Sequence, residues 1–225
     1  MCIRDRSRVV AVLMITVAAT VLLGGCIERP SAPTLPMASP TSVVTPVQPA
    51  PTQPIRILMV IAPEGFRDDE LFVPKEIFEE HGAEVKIASI TTKPAKGMLG
   101  AVVEPDVMIS DVSVESFDVV VVIGGVGSKE YLWDDFTLRT LVKDAYDAGK
   151  VVAAICLSPV VLARAGVLEG KEATVFPEPE AVEELERGGA IYADESIVVA
   201  DNIVTARDPE SAEDFALAIW AVLQG

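Results

Sequence analysis

Three short apolar runs, IRILMVI (55–61), DVVVVI (118–123) and VVAAI (151–155), alternate with longer amphipathic stretches, and this alternation leaves the chain few folds to choose from. A strand that is apolar at nearly every position has no face to offer water, so it must be covered on both sides. The cover is supplied by stretches with helical periodicity: ELFVPKEIFEEHG (70–82), DDFTLRTLVKDAYDAGK (134–150) and SPVVLARAGV (158–167). The prediction is an α/β domain with a mostly parallel sheet and helices on both faces. EVKIAS (84–89) adds a strand. SIVVADNIVTAR (196–207) reads as a hairpin turning at Asp201-Asn202, because both residue types tolerate positive φ. A closing helix is expected after Asp208 as cap and Pro209 in its first turn. One domain, 55–225, accounts for all of these elements, and there is no internal repeat.

In open parallel sheets ligands bind at the carboxyl ends of the strands. Three loops therefore matter most: Ala62 to Asp69, Gly124 to Lys129, and the segment from Cys156 onward. Cys156 stands where VVAAI breaks into a helix, so its sulfur should lie near unpaired N–H groups that favour thiolate. Backbone N–H groups of Leu157 and of the Gly124-Gly125 turn would then face an oxyanion. The residues alone leave two readings open, a nucleophile or an inert cysteine at a crowded corner.

The segments AAICLSPVVLARAGVLEGK, APEGFRDDELFVP, FDVVVVIGG and ARDPESAEDFALAIWAVL, in this order over 171 residues, resemble the ThiJ/PfpI superfamily of deglycases, PfpI proteases and class I glutamine amidotransferase-like domains. The resemblance implies a flavodoxin-like sandwich, a nucleophile elbow at Cys156, a homodimer, and a glutamate from the first loop beside the cysteine, here Glu70. A carboxyl held against a thiolate should be pushed up by the like charge and so remain a proton donor. Without that context Glu70 is one of three acids in a helical first turn.

The sequence departs from the superfamily in its histidines. Protease-like members follow the cysteine with histidine, where this chain has Leu157. Deglycase members bring one from the next strand, where Phe176 stands in ATVFP (173–177). The single histidine, His81, precedes Gly82 at the expected end of the first helix, a structural position. Arg207 follows a strand and is read either as an anion-binding group or, better, as a surface ion pair. Without imidazole, peptide cleavage lacks a base for the thiol and an acid for the amine. The expected function is handling of small electrophiles such as α-oxoaldehydes by Cys156 and Glu70; the alternative is an oxidant-sensing or ligand-binding module. No metal or cofactor is expected.

Ahead of the domain, VVAVLMITVAATVLLGG (9–25) follows Arg4, Arg6 and Arg8 and ends in Leu23-Gly24-Gly25-Cys26, which resembles a lipobox. Residues 1–26 are expected to be a signal with Cys26 as lipidation site, or else an uncleaved membrane anchor. The opening MCIRDR resembles translated sequencing-adapter sequence; the apolar run and Cys26 do not depend on it. Residues 27–54 carry eight prolines and read as an extended tether. Both readings locate the domain outside the cytoplasm, on a membrane. From residue 55 onward 14 basic residues face 32 acidic ones, a formal charge of −18, which excludes nucleic acid as a partner.

Overall fold

The computed structural model describes residues 53–225. The leader with Cys26, and the proline-rich stretch as far as residue 52, lie outside the described residues. A seven-stranded sheet forms the centre, in the spatial order Ile197–Ala200, Ile203–Ala206, Val151–Ile155, Val119–Val122, Arg56–Val60, Glu84–Ser89, Val107–Met108. Every neighbouring pair is parallel except the first, which is the expected hairpin, with Asp201 at φ 56° in its turn. Val119–Val122 and Val151–Ile155 are buried at every position, as uninterrupted apolar runs require.

The chain leaves Arg56–Val60 toward one edge, through the helix Asp68–Glu80 to Glu84–Ser89. It leaves Val119–Val122 toward the other, through the helix Phe136–Asp147 to Val151–Ile155. Right-handed crossovers in opposite directions put these helices on opposite faces. They also open a crevice between Arg56–Val60 and Val119–Val122, at the carboxyl ends of the strands. The C-terminal helix Ala212–Gln224 packs against Asp68–Glu80. The short helix Pro159–Arg164 packs against the Pro179–Arg187 helix.

Several local features differ from expectation. The first helix begins at Asp68, and its N-terminal amide Arg67 N–H donates to the Gly124 carbonyl at 3.1 Å, so the start is tied to the neighbouring loop. Pro74 sits inside this helix and has no N–H to give the Glu70 carbonyl four residues back. Asp208 caps a single 3₁₀ turn, Pro209–Ser211, and the long helix starts only at Ala212. A small sheet of Glu64–Phe66, Ala95–Gly97 and Val102–Val103 stands beside the first loop, held by the buried Asp68 carboxylate. That carboxylate accepts from Leu99 N–H at 2.8 Å and Ala101 N–H at 2.9 Å.

Candidate active site

Cys156 follows directly on a buried strand and holds φ at 62°, the left-handed region, where it is one of two non-glycine residues so placed among those described. Its backbone is pinned on both sides. The Cys156 N–H donates to the Ala206 carbonyl at 2.9 Å, and the Cys156 carbonyl accepts from Phe176 N–H at 2.9 Å. The next residues are fixed as firmly: Trp133 Nε1 donates to the Leu157 carbonyl at 2.8 Å. Ser158 Oγ donates to the Ile123 carbonyl at 2.7 Å while meeting Ser128 Oγ at 2.7 Å. These ties hold a conformation that costs an ordinary L residue about 1–2 kcal/mol. Glycine carries no such cost. Cys156→Gly is therefore expected to be more stable than Cys156→Ala by about 1 kcal/mol, a difference of about 2–4 °C in Tm for a domain of this size. Equal melting of the two variants would mean that the corner is unstrained.

Glu70 is fully buried and comes to the same place from the first turn of its helix. Its Oε2 accepts from Gly124 N–H at 3.0 Å. Its Oε1 has no hydrogen-bond partner among the described residues. Burial pushes this carboxyl up to about 8, against smaller opposing effects of the Cys156 thiol, the Gly124 amide and Arg67. The expected direction is found, but burial is the leading cause where like charge had been expected.

The expected preference for thiolate is not found. Burial, and then the Glu70 charge, push the Cys156 thiol well above its ordinary range, although the Gly125 and Leu157 amides pull it down. Cys156 is only 8% exposed, and the helix beyond it has six residues, too short to offset the loss of water. Burial thus holds protons on both groups, and the carboxyl is the one whose titration it brings near neutrality. Of the expected oxyanion donors, Gly124 N–H is committed to Glu70. Gly125 and Leu157 remain, both directed at the sulfur.

Above the sulfur lies a cavity of about 220 Å³, walled by Met98, Val126, Phe176 and Pro209, with Arg67 and Glu178 as its charged groups besides Glu70. A larger groove of about 470 Å³ lies between residues 109–115 and the Phe136–Asp147 helix, away from Cys156. His81 is far from this chemistry in role: Nδ1 meets the Ile77 carbonyl at 2.7 Å, and the ring packs on Trp220. Arg207 pairs with Asp208 at 2.8 Å and Asp194 at 3.2 Å, a surface ion pair as preferred. Sequence reasoning missed Asp68, which anchors the turn presenting Met98, and the Lys129, Trp133 and Glu178 side chains around the corner. Only the run of three acids at 68–70 carried any signal for the first of these.

Comparison with known proteins agrees with this fold. The DJ-1/PfpI family profile matches residues 55–222. An uncharacterized protein of Methanocaldococcus jannaschii is 50% identical over 169 residues, 75% of this chain and 82% of that one. The glutathione-independent glyoxalase DJR-1.2 of Caenorhabditis elegans is 30% identical over 168 residues, covering 75% of this chain and 88% of its own. Among solved structures, a ThiJ/PfpI domain protein from Brachyspira murdochii superposes with a TM-score of 0.73 at 36% identity, over 77% of this chain and 98% of that one.

Proposed function

We propose that this chain, which belongs to the DJ-1/PfpI family, uses Cys156 and Glu70 to convert small α-oxoaldehydes to hydroxy acids without a histidine. The observation that carries the reading is the buried Glu70 carboxyl with one unpartnered oxygen, beside a thiol that burial keeps protonated. A thiol in that state is a weak nucleophile until a base takes its proton. A carboxyl that titrates near 8 is suited to take and return protons near neutral pH. As the sulfur adds to the aldehyde carbon, the thiol proton passes to Glu70 and negative charge gathers on the aldehyde oxygen. The Gly125 and Leu157 amides stand ready to receive that charge. Similarity to a glutathione-independent glyoxalase supports the substrate class.

The same reading has the domain tethered outside the cytoplasm, on the strength of the lipobox-like Leu23-Gly24-Gly25-Cys26, and paired as a homodimer, as its family likeness suggests. Peptide cleavage is not proposed, because no imidazole lines the cavity among the described residues.

The test is lactate formed from methylglyoxal by the full chain in detergent, beside Cys156→Ala. Many turnovers per protein molecule, abolished by the substitution, are expected. Oxidation of one thiol per chain by peroxide with no turnover of the aldehyde would sink the enzyme reading and favour an oxidant sensor.

A further inference from the structure

Resting on the glyoxalase reading, the chemistry needs a second acid–base group. Once the Cys156 sulfur has added to the aldehyde carbon C1, a hydrogen must leave C1 and another must arrive at the neighbouring carbon C2. Glu70 handles the sulfur's proton from beneath the site, fully buried and fixed by the Gly124 amide. The hydrogen on C1 has to be reached from the cavity.

Glu178 is the carboxylate that the cavity offers for this. It lines the space with Cys156, Leu157 and Phe176. Its segment is docked on the corner by the Phe176 N–H to Cys156 carbonyl bond, and the Glu178 N–H turns back to the Phe176 carbonyl at 2.7 Å. Glu178 holds the N-cap position of the helix Pro179–Arg187, yet its side chain makes no cap hydrogen bond. The shorter Asp would accept from the helix's first amides at that position, whereas Glu is not a preferred cap. Here the carboxylate is held instead by Lys129 Nζ at 3.2 Å.

Lys129 in turn bonds Glu180 at 2.5 Å and lies 5.5 Å from the centre of the Trp133 ring, whose Nε1 holds the Leu157 carbonyl. A continuous set of contacts therefore fixes Glu178 relative to the residue after Cys156. Its side chain is 37% exposed, which lets it exchange protons with water.

We propose that Glu178 is the proton carrier on the substrate side of this site. In the hemithioacetal, Glu178 takes the C1 hydrogen as a proton, and the electron pair left behind forms a C1–C2 double bond while the electrons of the C2–O π bond go to the C2 oxygen, which takes a proton from water. The resulting enediol is protonated at C2 by the same carboxyl, and the C1 hydroxyl gives its proton back to water to become the carbonyl of a thioester. C1 is oxidised by two electrons and C2 reduced by two, so no outside oxidant is needed. Water then cleaves the C1–S bond, releasing lactate and the Cys156 thiol.

The experiment measures methylglyoxal turnover by the full chain for the wild type, Glu178→Gln, Glu178→Asp and Lys129→Met, with the Cys156 alkylation rate by iodoacetamide as a check on the thiol and the fold. Glu178→Gln is expected to lower kcat by about 10²–10⁴-fold, with KM changed far less and alkylation unchanged. Glu178→Asp restores part of the rate. Lys129→Met, which removes the ammonium that holds the Glu178 carboxylate, lowers kcat several-fold with KM and alkylation changed far less. Lactate made in heavy water carries deuterium at C2. A Glu178→Gln enzyme within about threefold of wild type, while Cys156→Ala is dead, overturns the role of Glu178 and leaves the glyoxalase reading standing. Absence of turnover in the wild type overturns both.

Discussion

Gly124→Ala is expected to cost turnover of α-oxoaldehydes at least about 10²-fold, the scale on which a displacement of about 1 Å in a reacting group is felt. A Cβ built at Gly124 falls 2.6 Å from Cys156 Cβ, 2.6 Å from Glu70 Oε2 and 2.6 Å from the Ile155 carbonyl oxygen. Two of these belong to the paired side chains, and the third is backbone of a central strand, so alanine has no soft neighbour to displace. Moving the loop instead stretches two bonds, Gly124 N–H to Glu70 and Arg67 N–H to the Gly124 carbonyl. Overpacking of this kind costs about 1–3 kcal/mol of stability, a fall of several degrees in Tm. Gly82→Ala is the control: its φ of 82° costs some strain, but nothing lies within 4 Å of the new methyl, and turnover should stay at the wild-type level. Wild-type kinetics in Gly124→Ala would show that the close approach of loop, thiol and carboxyl is unrelated to catalysis.

The second large effect is in the pH profile. With the Glu70 carboxyl titrating at about 8, the ionised base is scarce at pH 6, so kcat/KM should climb with pH and level off above about 8. Glu70→Gln should lower turnover by about 10²–10⁴-fold and abolish the climb. Stability runs the other way. The ordinary value for this carboxyl is 4.5, so between about 4.5 and 8 the folded chain binds more protons than the unfolded one. Stability is therefore greatest below that window and is lost as pH rises through it. Thermal unfolding from pH 5 to 9 should show a steeper fall in Tm for the wild type than for Glu70→Gln. A flat activity profile from pH 6 to 9, or parallel Tm curves, would show that Glu70 is not the group in question.

The parts of this fold that were legible in the sequence are those whose physics is local. DVVVV and VVAAI have no polar face, so only burial on both sides suits them, and the Asp201-Asn202 turn announces its hairpin through residue type. The fold class follows from such runs. The small sheet was not legible because strands of two or three residues carry no period.

At the site, the positions of Cys156 and Glu70 came from motif likeness, but their proton affinities did not follow. A sequence placing cysteine before a helix suggests thiolate; the opposite tendency arises from burial among Met98, Phe176 and Pro209, which arrive from three separate segments. Lys129 and Glu178 are 49 residues apart, and Asp68 reaches 31 residues along the chain to Leu99. Nothing in the neighbourhood of either member of such a pair foretells the other.

The bond from Phe176 N–H to the Cys156 carbonyl joins two backbones and does not depend on which side chain residue 176 carries. Architecture and reactivity are thereby uncoupled at this position. The segment that follows the corner stays docked whatever ring or chain projects from it, so the lining of the cavity can change at this position while the backbone keeps its place. Chemistry above the sulfur can therefore be varied one side chain at a time on an unchanged frame.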